Sequence, residues 1–479
     1  MKPRVRRRRS RKPILLLIVG LLVAGFAACG DEQHARLPER VDRVVLVTLD
    51  TLRADHMPSF GYPLDTMPFV EDLISRSVLF RRAFSQSATT KPAHSSMFTS
   101  LYPMQHGVLN NGLVLDTEFN TLAEMMRDAG FHTAGFVSTD VPLEGNVNQG
   151  FDVWDADPLQ KGEGERKLYR PAEETVQLAL DHVAELDPSE RLFLWVHLYD
   201  PHKPMQPPEP YQRRVDQMIE RYGAEQYREL LESRDIPTHP ASLEIVRDYD
   251  AEILYVDSQL ERLYAGLQER GLNADSVWVI TSDHGQGLGA HDWFGHSKQI
   301  YNAQLHVPLI VHFPGLTAAG RVVDDRVAEH VDIPQTITEL AGVEIGTQVA
   351  PMQGQSLVPH LRGERPRSPK RFAFAERSRY VDAGPNRQEK GNYEEGARYA
   401  LQDLEFKYIL FTEGEDEFYD LRVDPYELVN LIDSEEHADD RDQMLAVLVQ
   451  MLEELASERQ AEAVSEEDME RLRALGYIQ

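Results

Sequence analysis

Short apolar, β-branched runs separated by helical patterns leave this chain few possible architectures. The runs occupy residues 41–49, 133–137, 192–198, 277–280 and 307–313, and the helical patterns include residues 122–129 and 249–270. Strands buried on both faces read as continuous apolar runs, and strands alternating with helices imply a mostly parallel sheet covered on both sides. The expected fold is therefore α/β: a doubly wound, mostly parallel sheet with helices on both faces. Ligands in such sheets bind beyond the carboxyl ends of the strands. Polar residues follow those ends here, with Asp50 after the first run, the turn Asp200 to His202 after the third, and Asp283-His284 after the fourth.

Charge is distributed unevenly. The 479 residues include 50 Lys or Arg and 79 Asp or Glu, a net charge of −29, yet residues 1–28 carry eight basic residues and no acid. So acidic a body repels polyanions, and no nucleic-acid binding is expected. The leader has a basic run (Arg4, Arg6 to Arg9, Arg11, Lys12), an apolar stretch over 14–26 and small residues up to Cys29, the layout of an export signal. It resembles a bacterial lipoprotein signal whose lipobox is Phe26-Ala27-Ala28-Cys29, which implies lipidation at Cys29 and a periplasmic or cell-surface location. The competing reading is an uncleaved membrane anchor, which also places the body outside the cytoplasm. Cys29 is the only cysteine, so an intramolecular disulfide and a cysteine-based metal site are both excluded.

The expected organisation is a signal peptide over 1–28, a linker over 29–40, a catalytic domain over 41–345 and a small C-terminal α+β subdomain over 346–479. The last carries a strand-like run at 406–411 and an acidic helix at 440–461. Residues 207–240 read as a charged insertion, either a lid over the site or a solvated excursion. No internal repeat is evident, and nothing in the sequence sets the oligomeric state.

Four segments carry chemistry. In Thr48-Leu49-Asp50-Thr51-Leu52-Arg53-Ala54-Asp55 the strand-end carboxylate suits a hard metal ion, while Arg53 and Asp55 can pair to order the turn. The second segment runs from Thr90-Lys91-Pro92-Ala93-His94 to Tyr102-Pro103-Met104-Gln105-His106-Gly107. It resembles the sulfatase signature, which begins Cys-x-Pro-x-Arg and continues through a helix to Tyr-Pro-x-x-His-Gly. Thr90 falls at the nucleophile position and His94 where the family has arginine. The third, Ser282-Asp283-His284-Gly285 with His296-Ser297-Lys298, is similar to that family's second metal motif and its His-Gly-Lys element. The fourth, His197-Leu198-Tyr199-Asp200-Pro201-His202-Lys203-Pro204, is similar to the segment that approaches the substrate anion. Further matches at Val331-Asp332-Ile333, Gly354-Gln355-Ser356-Leu357 and Tyr419-Asp420-Leu421 extend the similarity through the C-terminal part. The resemblance implies the alkaline phosphatase/sulfatase-like fold.

This sequence departs from the sulfatase pattern where the chemistry is decided. Sulfatases oxidise a cysteine or serine to formylglycine, and a threonine, whose Cβ carries a methyl group, cannot become that aldehyde. A threonine alkoxide can attack phosphorus if metal ions lower its pKa. Thr90 to His94 resembles the Thr-x-Pro-x-His motif of the related nucleotide pyrophosphatases and phosphodiesterases, which implies a covalent Thr90 intermediate. The metal positions lean the same way: Thr51 stands at the second aspartate of the sulfatase pair and His284 at its asparagine, and imidazole favours zinc or manganese over calcium. The resemblance implies one ion held by Asp50, Thr90, Asp283 and His284. A second ion would take Asp200 and His296 with His202 or His197, and His202 alternatively contacts the substrate anion, as His197 does in a substrate-binding role. Lys91 and Lys298 are candidate clamps for the transferred group's oxygens, the alternative being solvated surface lysines. His94 and His106 are expected to brace the nucleophile helix, and His56, His132 and His306 are read as ordinary histidines.

The leading expectation is a hydrolase of phosphate mono- or diesters using two divalent ions. A sulfate esterase working without formylglycine is the alternative among enzymes, and a non-catalytic binder of sulfated or phosphorylated glycans the alternative of another class. Joint retention of Asp50, Thr90, Asp283, His284 and His296 speaks for an active enzyme.

Overall fold

The computed structural model describes residues 41–139, 145–156, 169–313, 320–364, 371–381 and 394–458. The expected leader, Cys29 and linker lie outside these residues. Among the described residues the main sheet has nine strands: β1 (Arg43–Leu49), β2 (Val78–Phe84), β3 (His132–Val137), β4 (Val153–Asp155), β5 (Leu192–Leu198), β6 (Ser276–Ser282), β7 (His306–His312), β8 (Arg321–Val323) and β9 (Ala328–Glu329). Their order is β4-β3-β5-β1-β6-β7-β2-β8, with β9 also paired to β2. All run parallel except β7, which is antiparallel to both β6 and β2. The doubly wound, mostly parallel sheet read from the apolar runs is the observed one.

Side chains alternate across a strand, and the central strands use both faces. Val45, Val47 and Leu49 of β1 join Leu194, Val196, Ile280 and the helices Pro68–Ile74, Ala172–Glu185 and Pro240–Glu269 in one core. Val44 and Leu46 join Phe193, Trp195, Val279 and the helices Thr90–Thr99, Leu122–Asp128 and Asp332–Ala341 in the other. Burial on both faces is why these strands carry no polar alternation. Residues 207–240 fold mainly as the helices Glu209–Tyr222 and Ala224–Glu232, which pack Val215, Tyr227 and Leu231 into the first core.

The C-terminal part adds β10 (Ala373–Arg377), the paired β11 (Tyr380–Val381) and β12 (Glu394–Glu395), then β13 (Arg398–Gln402), β14 (Phe406–Phe411) and β15 (Glu417–Asp420). Strands β10-β13-β14-β15 form an antiparallel sheet. One face packs on the helix Ala438–Glu458 through Met444, Leu448, Leu452 and Leu455. The other packs on the main domain through Ala88, Ile300, Tyr301 and Leu305. Among the described residues no helix is long and apolar enough to cross a membrane.

A buried charge ties the two sheets together. Lys407 Nζ donates to Ile300 O (2.8 Å) and Asn302 Oδ1 (3.1 Å) and forms an ion pair with Glu427 Oε1 (2.6 Å). Lys407 and Glu427 are both almost fully buried. Removing one member of such a pair strands the other charge, so Lys407→Ala is expected to cost about 3–5 kcal/mol of stability. Chemical denaturation would read this as a lowered midpoint, and an unchanged midpoint would contradict the assignment.

Candidate active site

The carboxyl ends of β5, β1 and β6 and the N-terminus of the helix Thr90–Thr99 meet at one buried cluster. β1 delivers Asp50 directly after Leu49, and β6 delivers Asp283 and His284 directly after Ser282. All three side chains are closed to solvent. Asp283 Oδ1 accepts from the backbone amides of Thr51 (3.1 Å) and His284 (2.8 Å), while its Oδ2 and both oxygens of Asp50 have no hydrogen-bond partner. Buried carboxylate oxygens left unpaired cost several kcal/mol each unless a cation compensates them. Among the described residues, Asp50, Asp283 and His284 offer ligand atoms within 4.8 Å of one another, a grouping that can hold a metal ion.

Thr90 completes the cluster. It is the first residue of its helix, and its Oγ1 lies 3.2 Å from His284 Nε2. His284 Nδ1 donates to Gly285 O (3.0 Å). A carbonyl only accepts, so the His284 proton sits on Nδ1 and Nε2 presents a lone pair. His94 donates from Nδ1 to Thr90 O (2.8 Å), and its Nε2 reaches Thr48 Oγ1 (3.3 Å). The histidine thus braces the first turn of the helix Thr90–Thr99. His106 Nε2 contacts Ser96 Oγ at 3.0 Å, farther along that helix.

The turn after β1 is held in an unusual conformation. Thr51 has φ 60°, a left-handed conformation that is rare and costly for a β-branched residue. Tyr249 clamps it, donating to Thr51 O (2.7 Å) and accepting from Arg53 N (2.9 Å). Arg53 pairs with both oxygens of Asp55 (2.8 and 2.9 Å) and donates to Gln286 O and Gly287 O. Arg53 and Asp55 therefore order the loop beneath the cluster.

The remaining predicted residues divide. His197 Nε2 lies 3.8 Å from Asp50 Oδ2, beside the first cluster. His202 and His296 meet with their Nε2 atoms 3.0 Å apart, and the His296 ring is 4.6 Å from that of His284. Asp200 is turned elsewhere: its Oδ2 accepts from the Ala172 amide (2.9 Å) at the start of a helix. The ligand atoms of Asp200, His202 and His296 do not form a second three-residue group within 4.8 Å among the described residues. Lys91 is buried, with its backbone amide donating to Asn111 Oδ1 (2.9 Å). Lys298 Nζ lies over the Trp293 ring at 4.9 Å. Of the histidines read as ordinary, His56 binds Asp250 Oδ1 (2.7 Å), His132 stacks on His182, and His306 donates to Arg81 O (2.8 Å).

Thr48, Tyr249 and Glu252 were not singled out in the sequence. Thr48 Oγ1 accepts from Trp195 Nε1 (3.0 Å) and also contacts His197 Nδ1 (2.8 Å). The available signal was parity: Thr48 shares a strand face with Val44 and Leu46 and so points toward the helix Thr90–Thr99. Glu252 accepts from Gln206 N (2.6 Å), and burial together with the Asp200 charge pushes it up to about 9. Within the helical pattern read over 249–270, neither it nor Tyr249 stands out.

Burial also pushes Asp283 and Asp200 up to about 6 and Asp257 up to about 7. Asp50 is raised first by burial and then by the neighbouring charges of Asp283 and Asp200. Burial pushes His284, His202, His306, His312 and His360 down to about 4 and His330 down to about 3. The histidines are therefore neutral at pH 7, with lone pairs available. A base depressed by folding contributes stability above its ordinary value of 6.5 that is lost as pH falls through its folded value. A raised acid contributes stability below 3.8 that is lost as pH rises through its folded value. The depressed histidines outnumber the raised acids. The metal-free protein is therefore expected to gain stability from pH 4 to 6.5 and to lose it above that, as Glu252 approaches 9. Thermal unfolding across this range in chelator checks the sign, and a steady gain into alkali would contradict it.

A strand-end carboxylate pair with an imidazole, facing a hydroxyl at a helix N-terminus, defines a metal-dependent ester hydrolase. The sulfatase family model matches residues 42–343, and a model of the C-terminal part of N-sulphoglucosamine sulphohydrolase matches residues 289–456. The chain belongs to the sulfatase family. It is 23% identical to an arylsulfatase of Clostridium perfringens, over 86% of this chain and 94% of that one. It is 24% identical to the multifunctional alkaline phosphatase superfamily protein PehA of Trinickia caryophylli, over 81% and 90%. Among solved structures it is similar to the phosphonate monoester hydrolase of Agrobacterium radiobacter, with a TM-score of 0.69, 25% identity and coverage of 87% and 96%.

Proposed function

We propose that this chain hydrolyses phosphate mono- or diesters through a covalent intermediate on Thr90. The observation that supports the reading is the 3.2 Å contact of Thr90 Oγ1 with His284 beside the two carboxylates; the resemblance of its segment to the sulfatase signature implies that this threonine takes the place of formylglycine. Thr90 Oγ1 bonds to phosphorus while the ester oxygen departs with the bonding pair and takes up a proton. Water then attacks phosphorus, and the Thr90 oxygen leaves with its pair and is reprotonated. The helix N-terminus favours the developing negative charge at Thr90. His94 holds the Thr90 backbone in place, and Lys91 and Lys298 supply positive charge for the phosphoryl oxygens.

The orphaned oxygens of Asp50 and Asp283 and the His284 lone pair fit a divalent ion. With Thr90 as a further ligand, that ion would lower the hydroxyl pKa and neutralise charge on the transferred group. His202 donates from Nδ1 to Lys203 O (2.6 Å), so its Nε2 lone pair faces His296. His296 Nδ1 lies 2.8 Å from Ser297 Oγ and 3.3 Å from Ala88 O, and its Nε2 can donate to that lone pair at 3.0 Å or, in the other tautomer, offer a lone pair of its own. The closeness of the two imidazoles is what supports a second ion at His202 and His296, with the sequence resemblance adding Asp200 as its carboxylate. The imidazole ligands favour zinc or manganese over calcium.

Sulfate esters are the second reading, favoured by the similarity to an arylsulfatase; they would react at Thr90 without formylglycine. The placement of the enzyme outside the cytoplasm, anchored through Cys29, belongs to this proposal on the leader sequence alone. Acid quenching during turnover of nitrophenyl phosphate, followed by peptide mapping, tests the intermediate. A phosphoryl group on the Thr90 peptide is expected. Its absence at every quench time during full turnover would overturn the covalent route.

A further inference from the structure

β2 carries a feature that the ester chemistry does not use. Phe80 lies opposite Leu309 and Ala83 opposite Val307, so β2 has one residue more than β7 between these pairs, a β-bulge. A bulge breaks the alternation of side chains and re-aims them. As a result the adjacent Arg81 and Arg82 line the same cavity, of about 480 Å³, between the main sheet and the C-terminal residues Leu421, Pro425 and Tyr426. That volume lies within the usual range of small-molecule sites.

The polar groups of this cavity are biased toward binding an anion. Arg81 Nε is closed to solvent and has no hydrogen-bond partner. The pKa of Arg82 is lowered by burial and then by the charge of Arg81, with Asp324 opposing both. Asp55 also faces the cavity, but Arg53 (2.8 Å) and Arg234 (3.5 Å) already engage its carboxylate. Asn302 Oδ1 accepts from Lys407, which leaves the Nδ2 hydrogens as donors. His306 donates its Nε2 proton to Arg81 O (2.8 Å) and is neutral, its pKa pushed down to about 4. Its ring packs against Phe60 at 5.5 Å and Phe84 at 5.2 Å, giving the cavity an aromatic wall. In a chain of net charge −29, two adjacent arginines lining one cavity call for an acceptor, and oxyanions match guanidinium geometry.

We propose that this cavity is an anion site, in which Arg81 and Arg82 hold a sulfate, phosphate or carboxylate group and the aromatic wall takes an organic ring attached to it. The site is separate from the ester-cleaving cluster, since none of Asp50, Thr90, Asp283 and His284 lines it, and it stands whether or not the phosphoesterase reading does. A ligand here would bridge the main and C-terminal sheets and stabilise the folded chain by mass action.

Calorimetric titration of the purified protein at constant ionic strength tests the proposal, with inorganic sulfate and benzenesulfonate as probes, neither of which is a hydrolysable ester. The wild type is expected to bind each probe at one more site than R81Q/R82Q, which should lose at least tenfold in affinity there while turnover of a nitrophenyl ester stays within twofold. Tighter binding of benzenesulfonate would identify an organic anion as the ligand, and equal binding a free oxyanion. Arg82→Gln alone is the variant to read if the double variant does not fold, with a weakened site expected. Unchanged stoichiometry and affinity in the folded variant would overturn the proposal.

Discussion

Thr90→Ala is expected to reduce ester turnover by on the order of 10⁴-fold or more, the scale seen when a covalent nucleophile is removed, with little change in unfolding temperature. Among the described residues Thr90 Oγ1 contacts His284 Nε2 at 3.2 Å, and the helix start is braced independently through the Thr90 carbonyl and His94. Losing the hydroxyl therefore removes the attacking atom without dismantling the turn. Thr90→Ser keeps an oxygen at the same place and should retain far more activity than the alanine variant. The pair of variants separates nucleophilic from packing roles: equal losses in both would point to packing. Near-normal turnover by Thr90→Ala would mean that water attacks directly.

Asp50→Asn is expected to shift stability in opposite directions depending on metal. Both Asp50 oxygens are buried and unpartnered, and the neighbouring Asp283 charge raises the cost of ionising the group. In chelator at pH 8 the asparagine variant, with no charge to desolvate, should be more stable than wild type by about 2–4 kcal/mol. With the divalent ion present the order should reverse, because the wild type alone gains the full linkage energy of binding. Turnover should fall by roughly 10³-fold or more as the positively charged support for the transferred group is lost. Thermal unfolding with and without chelator measures the crossover. A wild type indifferent to chelator would contradict a metal centre at this cluster.

The parts of the fold that were legible in the sequence are those where one physical demand dominates. β1, β5 and β6 lie between two apolar layers and show as uninterrupted apolar runs, and the residues just past their ends form the cluster. β2 was passed over because Arg81 and Arg82 interrupt its apolar run, and only the bulge that turns both into a cavity makes them compatible with a strand. The long helix was read from residue 249, yet it starts at Pro240, capped by the His239 side chain. There the proline looked like the end of the charged insertion. Asp50, Asp283 and His284 stood out by their position after strands, whereas Thr90 was picked out only through the resemblance of its segment to the sulfatase signature. The meeting of His202 with His296 joins residues 94 apart in sequence, and the turning of Asp200 toward Ala172 depends on where a helix begins. Neither arrangement leaves a local trace in the sequence. Thr48 was hidden for a similar reason, since a single hydroxyl in a buried strand reads as part of the core until its three partners are seen.

A metal-assisted threonine nucleophile acting on phosphorus is the central feature of the proposed chemistry. Its most direct test is metal analysis of residues 30–479, combined with hydrolysis of nitrophenyl phosphate, a nitrophenyl phosphodiester and nitrophenyl sulfate by wild type and Thr90→Ala. The predicted result is bound zinc or manganese, two equivalents if the His202–His296 pair takes an ion, with phosphoester turnover that disappears in Thr90→Ala. Calcium with turnover of the sulfate alone, or turnover that survives the loss of Thr90, would contradict it.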